Sequence, residues 1–294
     1  MTELHKQKDK DFVILNLGDI QLSEDDWRDK NDIWYGAIHT VVRLVSLTKP
    51  DLIICNGDIS YGGCDSAYRA FASFMESLAV PWAPVMGNHD YMAGEKGALS
   101  IADIYESVPH CLFKRGDKGL GFGNYSVKIC EEGAEKANII FLDSHDMVDC
   151  NGSRVYDKLM PLQLEWYKQE LKGFNSENLT VMHIPPHCLA EAYKKAKEEN
   201  QWENGIAFGE RCEVECGAFL EDGFDKVLEE TKKTTQVLVG HDHLNSYSVM
   251  YKGVRYTYGL KTGMGCYGMP EMNGGTVITV SNGFEKPRHV NIPL

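Results

Sequence analysis

The sequence predicts an α/β domain, and two features of the 294-residue chain carry that expectation. Apolar runs rich in β-branched residues alternate with stretches of helical period, the pattern of strands joined by crossover helices. Polar clusters, most of them opening on glycine, follow directly on five of those runs, as expected where strands end along one edge of an α/β sheet.

Phe12 to Leu17 reads as the first strand, Asp51 to Cys55 as the second and Trp82 to Met86 as the third. Between them Trp34, Ala37, Ile38, Val41, Val42 and Val45 fall on one helical face, and so do Ala67, Phe71, Phe74, Met75 and Leu78. Pro161, suited to the first turn of a helix, opens a further helical run with Leu164, Tyr167 and Leu171. Further strands are expected at Tyr125 to Cys130, Asn138 to Leu142, Leu179 to His183, Gln236 to Val239, Ser248 to Tyr251, Val254 to Tyr258 and Thr276 to Val280. Ser144 to Met160 and Pro185 to Gly223 read as long loops, which in compact domains go with function or mobility. Residues 1–10 are charged and lack an apolar run, so they are expected to be a flexible tail ahead of one domain over 11–294.

Composition narrows the classes of partner. A hydrophobic share of 43% can supply a sizeable core, and a formal charge of -13 repels nucleic-acid duplexes and anionic membranes, so neither is expected as a partner. No window approaches the ~20 apolar residues of a membrane span, and the start lacks the apolar core of a signal peptide. Nine cysteines without a C-x-x-C pair fit reduced thiols better than a disulfide framework, and a cytoplasmic protein is expected. Nothing in the sequence speaks to oligomeric state.

The chemistry lies in the strand-end clusters: Gly18-Asp19, Gly57-Asp58, Gly87-Asn88-His89-Asp90, His183, and Gly240-His241-Asp242-His243. Taken singly, a Gly-Asp pair is an ordinary turn or helix cap and a strand-end histidine is an ordinary core residue. Together they offer carboxylate, amide oxygen and imidazole at one edge, a donor set for Fe, Mn or Zn rather than for a thiolate-bound structural zinc. The donors outnumber one coordination sphere, which favours two ions bridged by a carboxylate. Two such cations ~4 Å apart activate water, hold phosphate oxygens and neutralise charge developing in displacement, so the reaction implied is hydrolysis of a phosphate ester.

In order and combination these five blocks resemble the signature of calcineurin-like metallophosphoesterases, over a span from Asp19 to His243. The resemblance implies a four-layer αββα sandwich, two mixed sheets face to face with helices outside. It also exposes a departure, because Gln21 stands where the superfamily usually has the histidine of Asp-x-His. The segment Gly57-Asp58-Ile59-Ser60-Tyr61 is similar to the Gly-Asp-x-x-Tyr of the purple acid phosphatase branch, where the tyrosine replaces that histidine on a ferric ion. Phe141-Leu142-Asp143-Ser144, His183-Ile184-Pro185-Pro186 and the run from Gly240 to Asn245 resemble compact members of that branch that lack an extra N-terminal β domain.

By this resemblance Asp19, Asp58, Tyr61 and His243 would hold one ion, and Asp58, Asn88, His183 and His241 the other, iron being paired with iron, zinc or manganese. His89 would face the substrate, with Asp90 orienting its ring. His187 and His145 are candidates for substrate contact, although surface or core roles fit them equally. Tyr258, Lys261 and the glycine-rich run to Gly268 could shape the pocket, although an ordinary loop is the favoured reading, and Cys212 and Cys216 receive no function. The implied activity is phosphomonoester hydrolysis by a metal-activated hydroxide without a covalent intermediate. A phosphodiesterase acting on a cyclic nucleotide or another diester is the second enzymatic reading, and a metal-binding scaffold without catalysis is the reading from another class.

Overall fold

In the computed structural model, which describes residues 2–117 and 119–294, the chain opens with β1 (Thr2–His5) and β2 (Phe12–Leu17). Then come α1 (Glu24–Asp29), α2 (Asp32–Thr48), β3 (Leu52–Asn56), α3 (Asp65–Ser77), β4 (Trp82–Val85) and α4 (Gly94–Glu106). The middle adds β5 (Tyr125–Glu131), β6 (Ala134–Phe141), β7 (Met147–Cys150), β8 (Ser153–Tyr156), α5 (Pro161–Lys172), β9 (Asn178–Val181), α6 (Leu189–Glu198) and α7 (Phe224–Thr231). The chain closes with β10 (Thr234–Val239), β11 (Ser248–Tyr251), β12 (Val254–Tyr258), β13 (Gly274–Val280) and β14 (Arg288–Asn291).

Two mixed sheets result. One has five strands in the order β14-β13-β2-β3-β4, with β2, β3 and β4 mutually parallel; the other has seven, in the order β1-β5-β6-β9-β10-β12-β11, with β6, β9, β10 and β12 parallel. Side chains alternate across the larger sheet as the pleat requires. Ile139, Phe141 and Leu238 point into a core shared with the smaller sheet and α2, α3 and α4, whereas Ile140, Leu142, Val237 and Val239 point into a second core against α5, α6 and α7. Helices thus cover the outer face of each sheet, and the four-layer αββα architecture holds.

Local signals explain the helix ends. Asn31 caps α2 by accepting from the Trp34 amide at 3.1 Å, and Pro161 occupies the first turn of α5, where its missing N–H costs nothing. On α2, Ala37, Val41 and Leu44 are buried while Val42 is 46% exposed and falls off the apolar face expected of it.

Three expectations need correction. Residues 2–5, expected in a flexible tail, add a parallel edge strand to β5, and Lys6 pairs with Glu131 just beyond it. The span 144–160 carries the β7–β8 hairpin, and 185–223 carries α6, so neither is loop throughout. Among the described residues no helix is long and apolar enough to cross a membrane.

Candidate metal centre

The topology brings the five polar clusters to one place. Asp19, Asp58 and Asn88 follow the parallel strands β2, β3 and β4, and His183 and His241 follow the parallel pair β9 and β10 of the facing sheet. Glycine is required where the backbones crowd these side chains. A Cβ on Gly87 would sit 2.2 Å from Asp58 Oδ1, and one on Gly57, whose φ is 78°, would sit 2.5 Å from His183 Nδ1.

The donors converge in a buried cluster. His183 Nε2 lies 3.3 Å from Asp58 Oδ2, 3.9 Å from Asp19 Oδ1 and 3.2 Å from Asn88 Oδ1, while His243 Nε2 lies 3.4 Å from Asp19 Oδ1. Asp58, His183 and His241 offer ligand atoms that all lie within 4.8 Å of one another. The His241 amide donates to both oxygens of Asp19, at 3.3 and 3.1 Å. Two imidazoles are held in one tautomer: Nδ1–H of His183 donates to the Asn56 carbonyl at 2.8 Å and Nδ1–H of His243 to the Tyr267 carbonyl at 2.9 Å. In the neutral ring this leaves Nε2 of each with a lone pair facing the carboxylates, so His183 takes up the arrangement of metal-binding histidines once its Nε2 proton is displaced.

Electrostatics agree with a cation-binding role. Burial opposes ionisation of Asp58 and Asp19, yet the adjacent histidines together outweigh it, His183 and His243 beside Asp19 and His183, His89 and His241 beside Asp58, and hold both below the usual carboxylate range. Burial likewise opposes a charge on His183, but Asp58 and Asp19 lift its pKa to about 10. Burial and the His183 charge push His241 down to about 3. One imidazolium therefore stands in for positive charge that the two carboxylates require. Lys261, 4% exposed, adds a second cation at the back of the site by donating to the Asp19 carbonyl, and burial lowers its pKa to about 8. Donor types, tautomers and charge all fit bound metal ions.

Not every expected residue joins this group. Tyr61 is 47% exposed, its ring against that of His89 at 4.8 Å between centroids. The chain turns there: Ser60 is buried in a single bridge to Leu22, and Tyr61 begins the turn that follows, with its ring outward. Asp90 does not orient the His89 ring; fully buried, it accepts from the amides of Gly87 at 2.7 Å and Asp58 at 3.2 Å and from the Tyr68 hydroxyl. Burial, with the Asp58 charge beside it, raises its pKa to about 7. His89 instead turns toward the pocket, with Nε2 3.8 Å from Asp58 Oδ2 and Nδ1 3.0 Å from Met92 Sδ. His145 lies outside the site, bonded to Gln163 at 2.7 Å. His187 lines a separate cavity of about 440 Å³ with Glu191, Glu221 and Asp225.

The mouth above the donors is a pocket of about 120 Å³ lined by Asp58, His89, His241 and His243. It is completed by Gln21, Asp242, Tyr156 and Cys216, and by Cys266 and Tyr267 of the glycine-rich run, for which a plain loop was the favoured expectation. The Tyr156 ring packs edge-on against His241 at 4.4 Å and that of Tyr267 stacks on His243 at 4.1 Å. No short-range signal marks Tyr156, Cys216, Cys266 or Tyr267, because each arrives on a loop or hairpin far in sequence from the strand end it covers. Gln21 was visible, as a departure from an expected pattern.

An Asp, Asn and His centre at the strand ends of a two-sheet αββα sandwich is the hallmark of the metallophosphoesterase class. Accordingly, the model for calcineurin-like phosphoesterases matches residues 12–245, and the chain belongs to that family, which uses a two-metal centre. A relative from Arabidopsis thaliana named "Probable inactive purple acid phosphatase 28" is 28% identical over 251 residues, 78% of this chain and 62% of its own length. This chain thus spans about three fifths of that relative. Over 84 residues it is 38% identical to a probable cyclic nucleotide phosphodiesterase of Xenorhabdus bovienii, covering 26% of this chain and 33% of that one. A dimetal phosphatase structure from Danio rerio superposes over 95% of this chain and 98% of its own, with a TM-score of 0.61 at 13% identity, which speaks to the fold.

Proposed function

We propose that this protein hydrolyses phosphate monoesters at a two-metal centre, with Asp58, Asn88, His183 and His241 around one ion and Asp19, Asp58 and His243 around the other. The observation that carries the reading is the approach of Asp58, His183 and His241 ligand atoms to within 4.8 Å of one another, beneath an open pocket. Two transition-metal ions, iron with iron, zinc or manganese, would supply Lewis acidity toward the phosphoryl oxygens and a nucleophile at neutral pH.

The chain's own residues do the remaining work. The Asn56 and Tyr267 carbonyls fix the tautomers of His183 and His243. His89, 22% exposed at its side chain, is placed to bond a phosphoryl oxygen or to protonate the departing alkoxide. Asp90 clamps the Gly87 and Asp58 amides, so it positions the Asp58 carboxylate rather than acting on substrate.

A diester is the second reading, favoured by the segment similar to a probable cyclic nucleotide phosphodiesterase. A non-catalytic scaffold is favoured by the relative named as inactive. The test is turnover on a panel of phosphomonoesters, phosphodiesters and phosphopeptides after loading with iron, manganese or zinc. Faster monoester cleavage supports the proposal, faster diester cleavage replaces the substrate class, and bound metal without turnover on any ester supports the scaffold.

A further inference from the structure

Where the family usually supplies a histidine, this chain has Gln21, and the structure gives that side chain an unusual position. Gln21 is 2% exposed and lines the pocket above the donors. Its Nε2 donates to Asp58 Oδ2, the carboxylate shared by both proposed ions, at 2.8 Å. Its Oε1 is buried without a hydrogen-bond partner among the described residues. Asn16 and Asn56 also carry unpartnered buried amide atoms, but neither of them lines the pocket. The loop is pinned as well, since the Gln21 amide donates to the Asp58 carbonyl at 3.0 Å.

A buried amide oxygen left without a donor is an acceptor in search of a cation or a proton. Rotation of the side-chain plane exchanges amide oxygen and nitrogen, and with a cation present to bridge them it would carry the oxygen to the edge of the Asp58 carboxylate that Nε2 now meets. Tyr61, the other candidate for this position, is half-exposed, with its ring tilted against that of His89.

We propose that Gln21, through its amide oxygen, completes the coordination of the ion held by Asp19, Asp58 and His243, and that Tyr61 is not a ligand. The inference rests on the two-metal reading above. It changes the chemistry of that ion: a neutral amide replaces a phenolate, so the site carries one negative charge fewer and favours a divalent over a ferric ion. No tyrosinate-to-iron charge transfer is then possible, and the iron-loaded, oxidised protein is expected to be colourless in the visible range where a phenolate complex absorbs.

The test is equilibrium dialysis of the full chain against Mn²⁺ with elemental analysis, together with the visible spectrum after Fe³⁺ loading. Wild type, Gln21→Ala, Gln21→Glu, Tyr61→Phe and His183→Ala are compared, with folding checked by circular dichroism. Wild type is expected to hold two ions, Gln21→Ala to bind the second at least tenfold more weakly, and Tyr61→Phe to match wild type in stoichiometry and spectrum. Gln21→Glu preserves size and an oxygen donor and is expected to keep both ions, which separates loss of a ligand from loss of fold. The proposal is overturned if Gln21→Ala keeps both ions at wild-type affinity, if Tyr61→Phe loses one, or if a phenolate band appears. Loss of an ion by His183→Ala with Gln21→Ala unaffected sinks the Gln21 assignment alone. Failure of wild type and His183→Ala alike to bind more than adventitious metal sinks the two-metal reading with it.

Discussion

On the proposed reading, two adjacent residues divide the work, Asn88 holding a metal and His89 acting on substrate. Asn88 Oδ1 sits 3.2 Å from His183 Nε2 within the donor cluster, whereas His89 stands at the pocket wall with its ring on Tyr61. Asn88→Ala should therefore lower metal occupancy and turnover together. His89→Ala removes no ligand, and turnover should fall on the order of a hundredfold with metal content intact, the scale of lost acid-base or oxyanion assistance. Elemental analysis beside steady-state rates checks both, and an ester with a very acidic alcohol should lose less because its leaving group needs little protonation. If His89→Ala strips an ion, the division of roles is wrong.

At the scale of elements, the fold depends on polar clamps between strands and turns as well as on apolar faces. Glu135 in β6 accepts from the amides of Asn175 and Ser176 and from the Asn138 side chain, and pairs with Lys128 of β5 at 2.9 Å. Burial opposes its charge, but these donors hold the carboxyl down at about 2. Because the folded pKa lies below the unfolded value of 4.5, its contribution is present above pH 4.5 and is lost as pH falls toward 2. Glu135→Gln should cost on the order of 1–2 kcal/mol at neutral pH, less than the full shift implies because water screens the group. The deficit should shrink in urea melts run at progressively lower pH; a constant deficit from pH 7 to 3 would show that the charge contributes nothing.

The same scale shows what the sequence made legible. β2, β3, β4, β9 and β10 are apolar runs that end in glycine or a ligand type, so both strand and site could be read together. β1 could not, because Thr2–His5 has one strongly apolar residue and pairs along only one edge. The β7–β8 hairpin is half-exposed and gains its order from tertiary placement, which brings Tyr156 over His241. In α6, Leu189, Ala192 and Ala196 do keep helical spacing, but the preceding Pro185-Pro186 reads as loop. Asp90 was misjudged because spacing says only that it is close to His89, and its actual partners, Tyr68 and the Asp58 amide, come from elsewhere in the chain.

For the whole molecule, the centre is a concentration of buried negative charge in a chain already at -13. Without ions, protonated His183 supplies the opposing charge, so metal binding must displace that proton. Calorimetric titration in buffers of different ionisation enthalpy should record proton release on metal binding, and chelation should lower the melting temperature. At metal concentrations near a hundred times Kd the stabilisation is about 2.7 kcal/mol, which for a chain this long corresponds to about 4 °C. An unchanged melting temperature after chelation would mean that the folded state gains nothing from an ion.

If the strand-end cluster is a metal centre that cleaves phosphate esters, as proposed, then Asp58, whose carboxylate would serve both ions, is the residue whose loss should matter most. The measurement is metal content and phosphomonoester turnover of wild type and Asp58→Asn, each reconstituted with the metal that best activates wild type. Wild type is expected to carry about two ions, with turnover abolished by chelation and restored by metal. Asp58→Asn is expected to keep its fold, lose at least one ion and fall in turnover by a hundredfold or more. Wild-type turnover that survives complete removal of metal, or an Asp58→Asn protein as active and as metal-loaded as wild type, would contradict the proposal.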